Sequence, residues 1–344
     1  MASVINARLE PMAGNMLTEE QWVSHSTVGL TADGLNYAPT KLFASGQNII
    51  GPLDNLMRLQ TLTHVDLSRN MLGSLVGLES LPCLATLIAS DNLLTEVLDF
   101  FAPSTGSRLR TADLRRNKIT GSLVELDHDG SEVLRGGMAA HPLVQSLLLE
   151  GNRITSVRGF DVLEELTCLS LRENDLRDES DSETPLILPS GLTSLDLSHN
   201  RGIIALPMDL LASLSALRSL CIEGCALDVD IGGGVHASSV VVWGREEVEP
   251  RVQQAVRWHV ARCLPRLERL DGVLITSHER ANAAALEARC FHHDAVADEV
   301  LRRRRRMRDE SSSALDSRSG KTDDGDAGNS NSLDLRCGPR VSFG

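Results

Sequence analysis

Residues 62–72 read LTHVDLSRNML, and the frame they set decides the fold. Leu62, Val65, Leu67 and Leu72 are the apolar positions, and Asn70 is the one polar position that recurs with them. The frame returns at Leu84, Leu87, Ala89, Asn92 and Leu94, then at Leu109, Ala112, Leu114, Asn117 and Ile119. It returns again at Val144, Leu147, Leu149, Asn152 and Ile154, at Leu166, Leu169, Leu171, Asn174 and Leu176, and at Leu192, Leu195, Leu197 and Asn200. Three weaker copies flank these, with Gln47, Cys225 and Arg245 in the asparagine place. Self-similarity at steps of 20 to 35 residues means stacked coils, each covering the apolar face that its neighbour leaves open.

Working outward from that stretch, each coil acquires parts. Side chains alternate along a strand, so Val65 and Leu67 point inward and Asp66 and Ser68 point outward. The asparagine turns the chain out of the strand and offers its amide to backbone groups otherwise buried without partners. The return path, as at Leu75, Leu78 and Leu81, reads as a short helical turn. The expected fold class is α/β: a leucine-rich-repeat solenoid with a concave parallel β-sheet, a short helical or irregular convex side and a helical C-terminal cap. An aromatic content of only 3% agrees with a narrow aliphatic core.

The expected organisation has four parts. Residues 1–40 form an N-terminal cap with a loose start, and Thr18-x-x-Gln21 opens a short helix as a capping box. Residues 41–248 hold about nine coils. Residues 249–308 form a C-terminal cap and an Ala/Arg-rich helix, with a second capping box at Thr276-x-x-Glu279. Residues 309–344, rich in Ser, Gly and Asp, are expected to be disordered, because they bury too little apolar surface to offset the entropy of ordering. Two insertions, between Asn117 and Asn152 and at Arg177–Thr184, read as surface loops.

Leu264-Pro265-x-Leu267-x-x-Leu270-Asp271-Gly272, followed by Thr276 and Glu279-Arg280, resembles the C-terminal cap of one class of leucine-rich-repeat proteins. That class, with repeats of about 22 residues, includes the leucine-rich regulatory subunit of protein phosphatase 1 and the axonemal dynein leucine-rich light chain. It also includes the spliceosomal A-prime protein and tubulin-binding cofactor E. The resemblance covers roughly residues 40–290. It implies a chain that binds proteins, or protein–RNA complexes, and does not catalyse. A ciliary or other microtubule-associated component and a nuclear ribonucleoprotein subunit are the alternatives it brings.

The concave face is the expected protein-binding surface. Its candidate residues are Asp66, Ile88, Asp113, Leu148 and Asp196 in a central row, and Arg115, Glu150, Arg172, Glu223 and Trp243 in the next, with packing under the C-terminal cap as the equal alternative for Trp243. The terminal Arg340-Val341-Ser342-Phe343 resembles the short docking motif for protein phosphatase 1, with Val341 and Phe343 as anchors and Arg340 as a charge contact. The run Arg302–Arg306 reads either as an import or acidic-partner patch or as a solvated charge block.

Charge and composition narrow the classes. The net charge is −13, and the whole excess lies before Thr276. An acidic body without interleaved aromatics argues against a nucleic-acid partner. No run approaches the length of apolar chain that spans a bilayer, so no membrane partner is expected. Seven scattered cysteines suggest a reducing compartment, with the cytoplasm, cytoskeleton or cilium first and the nucleus second. Cys290, His292 and His293 make a poor zinc pattern, and Gly232-Gly233-Gly234 lacks the Lys-Ser/Thr of a phosphate loop. No enzyme activity, metal or cofactor is expected.

Overall fold

A computed structural model describes residues 16–126, 132–177, 187–203, 206, 208–229, 239–244 and 250–285. The RVSF motif, the Arg302–Arg306 run, the acidic stretch 178–184 and Arg245 all lie outside the described residues.

Eleven strands form one sheet. In chain order they are β1 (Ser26–Leu30), β2 (Tyr37–Phe43), β3 (His64–Asp66), β4 (Thr86–Ile88), β5 (Thr111–Asp113) and β6 (Ser146–Leu148). They continue as β7 (Cys168–Ser170), β8 (Ser194–Asp196), β9 (Ser219–Cys221), β10 (Arg269–Leu270) and β11 (Val273–Leu274). From β2 to β10 each neighbour is parallel, and the register never slips: Leu42, Val65, Leu87, Ala112, Leu147, Leu169, Leu195, Leu220 and Leu270 stand side by side. All nine are essentially fully buried. The return paths carry single 3-10 turns, Asp54–Arg58, Leu78–Ser80, Met138–Ala140 and Phe160–Val162, whose Leu56, Leu78, Met138 and Phe160 close the core opposite the sheet.

The asparagines form a ladder through this core. Asn117 donates from Nδ2 to the carbonyls of Leu114 in its own coil (2.9 Å) and Ala89 in the preceding one (3.0 Å). Its Oδ1 accepts from the Leu94 amide of the preceding coil at 3.0 Å. Asn70, Asn92, Asn152, Asn174 and Asn200 repeat the arrangement. Each side chain thereby stitches its own coil to the one before it. Cys225 keeps half of the function: its thiol donates to the Leu197 carbonyl at 3.2 Å, and burial pushes its pKa up to about 12, which keeps the proton in place. Gln47, with no coil before it, donates to the Ser45 carbonyl instead.

The residue before each ladder position has positive φ, a conformation costly for most residues. Gly46, Gly151 and Gly224 supply it without strain, whereas Arg69, Asp91, Arg116, Glu173 and His199 adopt it with full side chains.

Four features depart from the sequence reading. At the N-terminus, Thr18 caps α1 (Glu19–Ser24) in a true capping box with Gln21. The chain then makes an antiparallel hairpin, β1–β2, which crosses the boundary expected at residue 40. The ninth parallel strand is Arg269–Leu270, within the stretch read as C-terminal cap. Residues 239–242, read as a coil ending at Arg245, pair antiparallel with residues 226–229 outside the main sheet. The insertion after Asn117 holds a docked hairpin, residues 124–126 with 132–134, followed by Gly136 and Gly137. These glycines lie against the Val97, Leu98 and Phe100 carbonyls, at places where a Cβ would collide with backbone.

The return path before β9 carries α2 (Met208–Ser213); after β9 the chain forms α3 (Pro250–Cys263), then β10 and β11, then α4 (Ser277–Ala285). Thr276 accepts from the Glu279 amide and Glu279 accepts from the Thr276 amide, so the second capping box forms as read. Val256, Val260 and Ala261 of α3 and Ala283 of α4 are buried. Arg257 binds Glu279 at 2.7 Å and holds that carboxylate down at about 2. Among the described residues no helix is long and apolar enough to cross a membrane.

His141 supplies a test of this packing. It is fully buried, 4.4 Å from the ring of Phe100. The Phe100 carbonyl can only accept, so Nε2 carries the proton (3.0 Å), and Nδ1 accepts from the Ser107 hydroxyl at 2.7 Å. Burial pushes its pKa below the ordinary value of 6.5. The unfolded chain therefore binds this proton first, so the contribution is complete above pH 6.5 and is lost as pH falls towards the lowered folded value. The melting midpoint should fall between pH 7.5 and pH 5.5, where the depressed carboxylates are still charged. His141→Phe should flatten that slope, leaving the share of His64, whose pKa burial also lowers. Equal slopes in both proteins would refute the assignment.

Candidate functional site

The register places the outward side chains in rows across the open face of the sheet. The central row runs Phe43, Asp66, Ile88, Asp113, Leu148, Ser170, Asp196 and Cys221. Five sequence candidates, Asp66, Ile88, Asp113, Leu148 and Asp196, stand there on neighbouring or nearby strands. Arg115, Glu150 and Arg172 follow two residues later in their coils, and Glu223 stands exposed after β9. Neighbouring strands lie about 4.8 Å apart, so the rows are a rigid lattice.

Much of the charge on this face is already paired. Arg115 holds Asp113 with both prongs, Nε to Oδ1 at 2.9 Å and Nη2 to Oδ2 at 2.7 Å, and Asp113 is buried beneath it. This contact raises the Arg115 pKa further. Glu150 accepts from Ser170 Oγ at 3.1 Å, and Arg172 donates to Glu173 at 3.2 Å and to Ser198 at 3.4 Å. Asp66 and Asp196 each accept from the hydroxyl of the serine two residues on, Ser68 and Ser198, at 2.6 Å. Ile88 and Leu148 flank the Asp113–Arg115 pair, one strand away on either side.

Trp243 is corrected. It was expected in the outward row beside Glu223, but its strand pairs with residues 226–229 rather than with β9, and the residue is 6% exposed. Its role is to end the stack. The Trp243 carbonyl accepts from the Gly224 amide at 2.7 Å, the bond a further coil would otherwise receive. Its indole donates to Asp271 Oδ2 at 2.7 Å, while Asp271 Oδ1 accepts from the Ile222 and Glu223 amides. Burial raises the Asp271 pKa despite these three donors. Cys221, beside it, is pushed up to about 11 by burial and the nearby carboxylates, which leaves a protonated, unreactive thiol.

Two parts of the face escaped the sequence reading. One is a row of small polar residues, including Thr86, Thr111, Ser146, Ser194 and Ser219, on the other side of the central row. The other is Phe43, 46% exposed and 5.4 Å from the ring of His64. Its spacing of 23 residues from Asp66 was a signal that could have found it. Arg340, Val341 and Phe343 lie outside the described residues.

Among the described residues no group of three or more His, Cys, Asp or Glu side chains could hold a metal ion. Five cysteines are described, and all are free thiols.

The unbroken parallel register and the asparagine ladder decide the architecture. The fold is a leucine-rich-repeat solenoid. No protein-family model matches the chain, and no curated protein matches it. Solved structures do. An internalin (inlF) from Listeria monocytogenes is 16% identical, with 55% of this chain and 56% of that chain covered and a TM-score of 0.35. The functional domain of InlJ from Listeria monocytogenes is 23% identical, covering 55% of this chain and 40% of that chain, with a TM-score of 0.34. The chain thus matches about half the length of these structures.

Proposed function

We propose that the chain is a non-catalytic scaffold or adaptor that holds a protein partner on the concave face of its sheet. The register of β3 to β9 supports this reading, because it aligns outward side chains from seven strands into one row about 30 Å long. The solenoid holds that row with little freedom, so little ordering cost remains to oppose binding. Ile88 and Leu148 act as apolar anchors on either side of the Asp113–Arg115 pair. They suit a partner segment that presents two apolar side chains around a polar one.

Ile88→Glu and Leu148→Glu each place a charge at an anchor without entering the core. Each should weaken capture of the partner at least tenfold, since desolvated apolar anchors carry most of the binding energy. Affinity purification with the intact chain, compared with each variant, measures this. A partner recovered equally by all three proteins would remove the concave face from consideration.

The finer reading adds protein phosphatase 1, bound through Arg340, Val341 and Phe343. Its support is the motif alone. Val341→Ala/Phe343→Ala should abolish phosphatase recovery while leaving concave-face binding intact. Undiminished recovery would dismiss the docking role.

A further inference from the structure

The sheet has an end that the coils do not explain. Strand β1 is its outermost strand, and among the described residues no strand pairs with its outer edge. The register sets Val28 opposite Pro39 and Leu30 opposite Tyr37, so these residues share the open face with Lys41 and Phe43. Val28 is 68% exposed, Leu30 54% and Tyr37 79%, and Leu35 at the turn between the strands is 78% exposed. With Phe43 they expose about 600 Å², the upper end of the largest apolar patch on ordinary monomers. Exposed edges are usually guarded by lysine, proline or other charge. β1 reads STVGL and carries no charge at all.

We propose that this edge is a self-association site, at which β1 of one copy pairs antiparallel with β1 of a second copy. Antiparallel pairing sets Val28 and Leu30 of one copy beside the same residues of the other, so the two apolar strips join into one across the seam. A twofold contact needs a surface complementary to itself, and a neutral strand edge flanked by apolar side chains meets that condition. The charge distribution favours a second copy at this end. The chain carries −13 overall, so copies repel where their acidic surfaces meet, and the uncharged β1 edge is where they can approach. A β-bulge between Thr27 and Val28 limits regular pairing to the residues that follow it, which makes the association modest.

Sedimentation velocity of the full chain across about 1–100 µM, with hydrogen exchange at both ends of that range, tests the proposal. The mass should rise from one copy to two, and the amides of residues 28–30 should gain protection as it does. Val28→Lys/Leu30→Lys changes two exposed positions and should hold the chain as a single copy with an unchanged melting midpoint. If the variant melts early, the concentration dependence of protection in the unaltered chain decides. A chain that stays single throughout would overturn the proposal. So would equal protection of β1 at both concentrations, which means another segment of the same chain covers the edge. A dimer that survives the double substitution would overturn it too.

Discussion

Asn117→Ala should cost the chain about 3–5 kcal/mol, enough to consume much of an ordinary domain's stability. The side chain serves four backbone groups: the carbonyls of Ala89, Leu114 and Arg115 and the amide of Leu94. Truncation orphans the Leu94 amide in a core sealed by Ala89, Leu94, Leu114 and Ile119, and it takes one of two donors from each carbonyl, which Asn92, Asn152 and the Asp91 amide still serve. The orphaned amide costs about 1–3 kcal/mol, and each bond lost to a carbonyl that keeps its other donor adds about 0.5–1.5 kcal/mol. Asn117→Asp should be no milder, because it keeps the acceptor for Leu94 but turns an oxygen towards carbonyls that need a donor. Denaturant unfolding measures the loss, and hydrogen exchange at Leu94 locates it. A loss below about 1 kcal/mol for the alanine variant would show that the ladder is not what holds the coils together.

Gly137→Ala should damage the fold by at least about 3 kcal/mol or prevent soluble expression. The glycine has an ordinary φ of −110°, so backbone strain is not the reason. The reason is proximity: a Cβ would lie 2.0 Å from the Leu98 carbonyl oxygen and 2.6 Å from that of Phe100. Neither oxygen belongs to a side chain that can swing away, and the Gly137 amide is bonded to the Val97 carbonyl at 3.1 Å. Gly73→Ala is the control, since its added methyl meets nothing within 4 Å and its φ is ordinary. It should be neutral or slightly stabilising through the unfolded chain. Similar losses in both variants would mean that the clash at residue 137 is relieved by movement of the insertion.

The sequence made the repeated part of the fold legible because its constraint is local. A buried asparagine with apolar residues three, five and eight places before it has one structural use, and six copies in register leave little ambiguity. The outward residues followed by alternation alone, which is why Asp66, Ile88, Asp113, Leu148 and Asp196 fell on one row. The terminal elements were not legible in the same way, because their roles depend on distant partners. Val240 and Val242 alternate like coil residues, yet pair with Asp228 and Ala226. Trp243 reads equally as an exposed anchor or as packing under the C-terminal cap, and only the Asp271 carboxylate, 28 residues on, decides for the inward place. Gly136 and Gly137 read as a permissive loop, although their lack of a side chain answers to carbonyls at residues 97–100. Phe43 and the β1–β2 hairpin lacked an asparagine to mark them.

Because each asparagine satisfies an amide in the coil before it, the stack has a direction in time as well as in space. A coil leaving the ribosome still has an open amide until its successor has been synthesised and has turned back over it. The earliest coil can do without an asparagine, as Gln47 shows, while the latest must wait for something else. That wait is long: the Ile222 amide is satisfied only by Asp271, 49 residues downstream. Until then the growing end is an unfinished surface, and a nascent chain halted between those two residues would expose its newest coil to chaperones.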